Sequence, residues 1–394
     1  MNILFLCNKN PYPERDGGCL GMNVMINEAV RCGHFVKVLA VNSSKNFVNP
    51  DELPEKYRND THYENVFMDL KVRPLSFLST FFTKKSPHII RFISKDFEEK
   101  LISILKQTDF DLVRVESVFM APYVDTIRKY SNARIDMRAH NIEHLIWERL
   151  CAASKNPLKK MLLKHVCSTL KTYEQKAVNT MDVISAISLT EKEWFEKYVD
   201  IPVNYVPFGL DIHKVKYDDT LPSVANSIFY IGAMNWEPNV EGIDWFLDNV
   251  WPLVRMKRPD LKFYLAGRYM PQKYFDVEYE NVVVLGEVPS VYEYMCAHEI
   301  MVVPLLSGGG VRVKIFEGMS MAKPIVTSSV GAEGIDLENG RDIMIADNAE
   351  DFADAIIKLA DDRNLAKSIG ENAREAVNKY DIRNIFNKWI SYYH

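Results

Sequence analysis

Short apolar runs alternate with helix-patterned stretches along this chain in two successive series, and that alternation confines it to parallel α/β architecture. The first series opens with an apolar run at residues 3–7. A loop containing Gly17-Gly18 follows, then a helix from about Leu20 to Arg31, a Gly33 cap and a second run at 35–41. Glycine behind the last helical turn and an apolar run behind the glycine are the punctuation of a β-α-β unit. Further strands are expected at 66–72, 112–115, 134–138, 183–186 and 203–206. Strands joined through helices pair in parallel, and a parallel sheet has to be covered on both faces. The pattern lapses over 207–226, where Asp218-Asp219 and Pro222 interrupt it. It restarts with strands at 228–231, 262–265, 282–285, 300–303, 325–327 and 343–345, and a helix over 239–256. Two doubly wound domains follow, over residues 1–208 and 209–380. The last stretch, 381–394, carries Ile385, Phe386, Trp389, Ile390 and Tyr393 on one helical face. Such a face has to dock, and the first domain is the candidate surface.

A chain of 394 residues is long enough for two such domains. Its composition, 47% hydrophobic and 26% charged, is that of a globular protein, and a net charge of −5 gives no nucleic-acid footprint. The charge is unevenly divided: residues 1–210 hold 29 Lys+Arg against 25 Asp+Glu, and residues 211–394 hold 19 against 28. Six cysteines without a CxxC pair suit buried thiols in a reducing compartment. The first apolar run is too short for a signal peptide, and no stretch approaches the roughly 18 apolar residues of a membrane span. The expectation is a cytoplasmic protein.

The most informative local motif follows the strand at 300–303: Ser307-Gly308-Gly309-Gly310-Val311-Arg312-Val313-Lys314-Ile315-Phe316-Glu317. Glycines let a backbone approach a ligand closely, and the free N–H groups of a helix start favour negative charge. Arg312 and Lys314 add two cations where a helix start ordinarily prefers acids. That inversion calls for an anionic partner, and a diphosphate fits. Glu317, farther along the helix, is placed to accept hydrogen bonds from hydroxyls beside it.

With these residues in view, the chain resembles the retaining glycosyltransferases of family 4. They have the GT-B fold, in which two Rossmann-like domains face each other across a cleft. The resemblance runs nearly end to end and is most specific in the second half. It covers Tyr230-Ile231-Gly232-Ala233-Met234-Asn235-Trp236-Glu237-Pro238-Asn239, Leu265-Ala266-Gly267 and Leu285-Gly286-Glu287-Val288. It continues through the glycine loop to Ala322-Lys323-Pro324-Ile325-Val326 and Gly331-Ala332-Glu333-Gly334. It implies transfer of a sugar from a nucleotide-diphosphate donor to an acceptor hydroxyl on a glycan or lipid-linked glycan. Surface or exported polysaccharide synthesis is the implied role. The nucleotide-sugar would be a substrate, and no cofactor is implied. Donor binding would fall to Gly232, backbone near Val288, Glu317 on the ribose, and the amides of Gly309, Gly310 and Val311. Gly17 and Gly18 would approach from the first domain, and His140 would touch the donor sugar. Three departures stand out. Gly309 occupies the place of the first glutamate of an E-x7-E pair that ends at Glu317. Asn235-Trp236-Glu237-Pro238 replaces an Arg and a Lys-Gly. Pro207-Phe208-Gly209-Leu210-Asp211 lacks the family's Asn. Arg312 and Lys314 are then the counter-charges for the leaving diphosphate, a role that needs no metal.

Other motifs compete. His140-Asn141-Ile142-Glu143-His144 matches H-x-x-E-H, in which two histidines bind zinc and a glutamate activates water, so a zinc peptidase is a rival. Asp109-Phe110-Asp111 matches a cation-holding D-x-D, although acids are common in turns that lead into a strand. A nucleotide-sugar epimerase of related architecture is a further rival, for which no set of acid/base residues is identifiable. Residues 75–106 interleave Phe77, Phe81, Phe82, Phe92 and Phe97 with Lys84, Lys85, Arg91 and Lys95, and 155–176 add Lys159, Lys160, Lys164 and Lys171. These read either as solvated helix faces or as a rim for peripheral contact with an anionic membrane.

Overall fold

Ile3, Leu4, Phe5, Leu6 and Cys7 have no exposed surface, because β1 (Asn2–Cys7) is an interior strand of a parallel sheet covered on both faces. The structure, a computed structural model, describes residues 1–71, 80–83, 85–154, 156–213, 223–308 and 312–393. The chain divides into two units: Met1–Gly209 together with the C-terminal residues from Ile382, and Leu210–Asp381. In the first unit, β1 is joined by β2 (Phe35–Asn42), β3 (Glu64–Phe67), β4 (Leu112–Glu116), β5 (Arg134–Ala139), β6 (Val183–Ala186) and β7 (Val203–Tyr205). The order is β3-β2-β1-β4-β5-β6-β7, with every neighbouring pair parallel. The second unit holds β8 (Ser227–Ile231), β9 (Lys262–Ala266), β10 (Val282–Gly286), β11 (Ile300–Val303), β12 (Ile325–Thr327) and β13 (Met344–Ile345). These run in the order β10-β9-β8-β11-β12-β13, again all parallel. Both units are Rossmann-like, and the fold is GT-B.

Four expectations shift. The strand expected at 66–72 is β3, and it ends at Phe67. Beyond it the Asp69 carboxylate accepts the Lys71 N–H at 3.2 Å and turns the chain out of the sheet. The helix Gly17–Arg31 starts three residues earlier than its apolar pattern, taking in both glycines, because the Asp16 carboxylate caps the Cys19 N–H at 2.9 Å. The helix expected over 239–256 is interrupted. Glu237–Trp245 passes into a π turn over Phe246–Val250, in which the Trp251 N–H reaches back to Phe246, before Trp251–Lys257 resumes. Pro252 has no N–H to give to the preceding turn, and the widened turn absorbs the missing bond. The six cysteines are all free, but only Cys7 and Cys19 are buried, and Cys32 is exposed.

The helix Ile382–Ser391 belongs to the first unit. Gly209 permits its entry, since a Cβ there would lie 2.6 Å from Ile382 Cδ1 and 3.2 Å from its Cα. Trp389 is fully buried; its indole Nε1 donates to Asp136 Oδ2 at 2.8 Å, and the Arg114 guanidinium sits 4.2 Å from the ring. The apolar face read in the sequence is therefore buried against the sheet and anchored to a charge inside it.

Candidate functional site

Ligands of doubly wound sheets bind beyond the carboxyl ends of the strands, where the strand order reverses. In the second unit a cavity of about 340 Å³ opens there. Gly232 after β8, Gly267 and Arg268 after β9, and Glu287 and Val288 after β10 wall it on one side, and Lys314 and Glu317 of the helix Val313–Ser320 on the other. Lys314 is half-buried, and its ammonium donates to Tyr230 Oη at 2.7 Å and Asn239 Oδ1 at 3.0 Å, lying 4.2 Å from the Tyr230 ring centre. An ammonium has three hydrogens, so one is left for a ligand. Burial, with Arg312 beside it and Glu317 opposing, pulls the Lys314 pKa down to about 7. The same burial pushes the Tyr230 phenol well up, so it stays neutral and can accept from Lys314.

The glycines are spatial requirements. A Cβ on Gly232 would come 2.5 Å from Lys314 Nζ and 2.6 Å from Tyr230 Oη, and one on Gly267 would come 1.9 Å from the Gly232 carbonyl oxygen. The sequence therefore reserves this floor for backbone. Of the two expected counter-charges, only Lys314 lines the cavity. Arg312 caps the same helix but is 4% exposed, with its guanidinium 5.4 Å from the Trp236 ring centre. Gly308 adopts φ +116°, and a Cβ there would press to 2.9 Å from that ring. Gly309, Gly310 and Val311 lie outside the described residues.

In the first unit, the candidates collect at the corresponding strand ends. Gly17 and Gly18 form the first turn of their helix; a Cβ on Gly18 would lie 2.8 Å from Lys9 Nζ, which pairs with Asp16 at 2.6 Å. His140 follows β5, and its Nε2 meets Glu116 Oε2, at the end of β4, at 2.7 Å. Burial and the neighbouring Arg138 and Lys9 pull the His140 pKa down against the pull of Glu116. Burial alone would raise the Glu116 carboxyl, but His140, Arg138 and Arg114 outweigh it and hold the group at about 2. Beneath this pair lies a buried charge lattice. Register places Arg114 beside Asp136 and Glu116 beside Arg138 on adjacent strands. Arg114 Nη1 donates to Asp136 at 2.5 Å, Ser185 Oγ donates to the same carboxylate at 2.9 Å, and Arg138 Nη1 donates to the Gly21 carbonyl at 2.6 Å. Two acids and two bases cancel, which a water-free interior requires.

Glu116, Tyr230, Asn239 and Arg268 were not singled out from the sequence. For Glu116 a signal existed: Arg114 and Glu116, like Asp136 and Arg138, alternate inside otherwise apolar strands and so share one sheet face. Tyr230, inside β8, and Asn239 are the two ends of one motif run, with no pattern to mark them as partners of Lys314.

The rival motifs separate. The helix Glu143–Ala153 begins after His140, so the two histidines of H-x-x-E-H do not share it. His140 engages Glu116, whereas His144 Nδ1 engages Glu174 at 2.6 Å. Asp109 and Asp111 fasten the opposite end of the sheet: the Asp111 carboxylate accepts the Asn2 N–H at 2.7 Å, and the Asp109 carbonyl accepts from Asn2 Nδ2 at 2.8 Å. Among the described residues no helix is long and apolar enough to cross a membrane.

Two Rossmann-like units in one chain are what the GT-B fold comprises, and solved structures of that fold superpose on the whole of this chain. Residues 225–362 match the family model Glycosyl transferases group 1, which supports a glycosyltransferase of this fold. The chain is 25% identical over 400 residues to an uncharacterized 44.6 kDa protein in the cps region of Klebsiella pneumoniae, covering 98% of this chain and 97% of that one. Sucrose-phosphate synthase from Thermosynechococcus elongatus is similar in structure, with a TM-score of 0.73 at 16% identity over 100% of this chain and 98% of that one. HepE of Anabaena in complex with UDP superposes with a TM-score of 0.67 at 14% identity, covering 100% and 99%.

Proposed function

We propose that the protein is a retaining glycosyltransferase that moves a sugar from a nucleoside-diphosphate donor to an acceptor hydroxyl in surface or exported polysaccharide synthesis. The observation that carries this reading is the second-unit cavity, in which Lys314 and Glu317 face a floor that only glycine permits. The diphosphate takes the remaining hydrogen of Lys314 and the amides of Gly309, Gly310 and Val311. Glu317 accepts from the ribose hydroxyls, and backbone near Val288 meets the base. Arg312 adds a second positive charge from behind Trp236. His140, with Gly17 and Gly18, is assigned to the sugar. When the anomeric C–O bond breaks, its electron pair passes to the diphosphate, and fixed cations stabilise that charge without a metal. The acceptor oxygen attacks the face the diphosphate leaves, and its proton passes to a phosphate oxygen.

The UDP complex of HepE supports a nucleotide-sugar donor, and the relative from a cps region supports a polysaccharide product, on a glycan or lipid-linked acceptor. Thermal shift against UDP-, GDP- and ADP-sugars identifies the donor, since a ligand bound to the native state raises the midpoint. NMR of the product then reads the anomeric configuration. Retention is expected, with activity kept in a chelator, and an inverted product refutes the proposed chemistry.

A further inference from the structure

The helix Pro157–Ala177 changes character along its length. Its second half buries Val166, Leu170 and Ala177, as an amphipathic helix on a core should. Its first six residues are all exposed, yet they include Leu158 (70% exposed), Met161 (57%) and Leu162 (40%) on one face. The helix Glu143–Ala153 runs beside it, with Cys151 Sγ donating to the Lys160 carbonyl at 3.5 Å, and brings Leu150 to the same end. Phe81 stacks on His165 at 3.9 Å between ring centres, which sets Phe82, 89% exposed, beside this helix. Apolar side chains turned to solvent at the tip of a helical hairpin are a surface awaiting a partner.

The charge around them says which. Between residues 148 and 164 the sequence holds one acid, Glu148, against Arg149, Lys155, Lys159, Lys160 and Lys164. Lysines at this spacing can lay their stems on an apolar surface and extend their ammonium groups to anions around it. A second copy of the chain would set like charges face to face. We infer that this hairpin tip docks on an anionic lipid bilayer, with Leu158, Met161, Leu162 and Phe82 entering the acyl boundary and Lys159 and Lys164, which flank that face of the helix, meeting the headgroups. The inference deepens the reading of a lipid-linked acceptor, but its test measures binding alone and is independent of catalysis.

The test is co-sedimentation of the full chain with vesicles of phosphatidylcholine, alone or mixed with an equal share of phosphatidylglycerol. Binding to the mixed vesicles is expected, weakening as salt rises, with little on the neutral ones. Each flanking lysine contributes about fivefold, so K159S/K164S together lose about 25-fold. L158S/M161S/L162S lose at least about tenfold. Both variants should keep the wild-type circular dichroism and melting midpoint, because the altered side chains are exposed. Equal binding to both vesicle types, no binding, or binding unchanged in both variants overturns the inference. So does a wild-type dimer in sedimentation velocity that L158S/M161S/L162S converts to monomer.

Discussion

Replacing Lys314 by methionine keeps the stem and removes the ammonium, which isolates the charge. A full positive charge about 4 Å from a phosphate oxygen is worth about 4 kcal/mol at the effective dielectric of a protein edge. Loss of one preorganised donor costs about 2–4 kcal/mol of transition-state stabilisation, so K314M should lose about 30- to 1000-fold in kcat/KM. Burial lowers this lysine to about 7 in the free protein, so its charge is lost across the neutral pH range. An anion favours the charged form and raises that pKa. Binding of a nucleotide-sugar, whose diphosphate diester does not titrate in this range, should therefore take up a fraction of a proton near pH 7. The sign follows: affinity is highest below pH 7 and falls about tenfold per unit above it, until the pKa of the complex is reached. Titration calorimetry in two buffers of different ionisation enthalpy reads the proton uptake directly. In K314M both the uptake and the pH dependence should vanish. Zero uptake in the wild type, or a K314M protein that binds and turns over normally, rules out Lys314 as the cation on the diphosphate.

Gly232→Ala puts a methyl group 2.5 Å from the Lys314 ammonium and 2.6 Å from the buried Tyr230 hydroxyl, so donor affinity should fall at least about tenfold in calorimetry and the melting midpoint should fall with it. Glu116→Gln should lower kcat more than it raises KM if His140 acts on the sugar. The carboxyl is held at about 2 against an ordinary 4.5, so its contribution is complete above pH 4.5 and lost as pH falls toward 2. The variant should therefore lose about 3 kcal/mol of urea-measured stability at pH 7 and show a flatter acid limb. Trp389→Ala removes a fully buried ring and the donor to Asp136, and should cost about 3–5 kcal/mol, seen as a lower melting midpoint.

The parallel strands were legible because burial on both faces leaves unbroken apolar runs, as in β1 and β11. What blurred was set by single side chains acting on backbone: Asp69 ending β3, Asp16 drawing Gly17 and Gly18 into a helix, and Pro252 forcing a π turn. At the site, residues marked by glycine and by charge at a helix start could be read. Residues whose role depends on contact between distant segments could not. Lys314 meets a tyrosine 84 positions away, and His140 a glutamate 24 positions away. Local sequence also fails to rank two cations two residues apart, for only packing turned Arg312 onto Trp236 and left Lys314 in the cavity.

On this reading the cavity between the strand ends and the Val313–Ser320 helix holds the diphosphate of an activated sugar. A crystal of the protein grown with the nucleotide-sugar found by thermal shift tests it most directly. A diphosphate oxygen is expected within hydrogen-bond distance of Lys314 Nζ, with the ribose hydroxyls on Glu317. Density for the ligand elsewhere on the chain, or an unfilled cavity at saturating concentration, contradicts it.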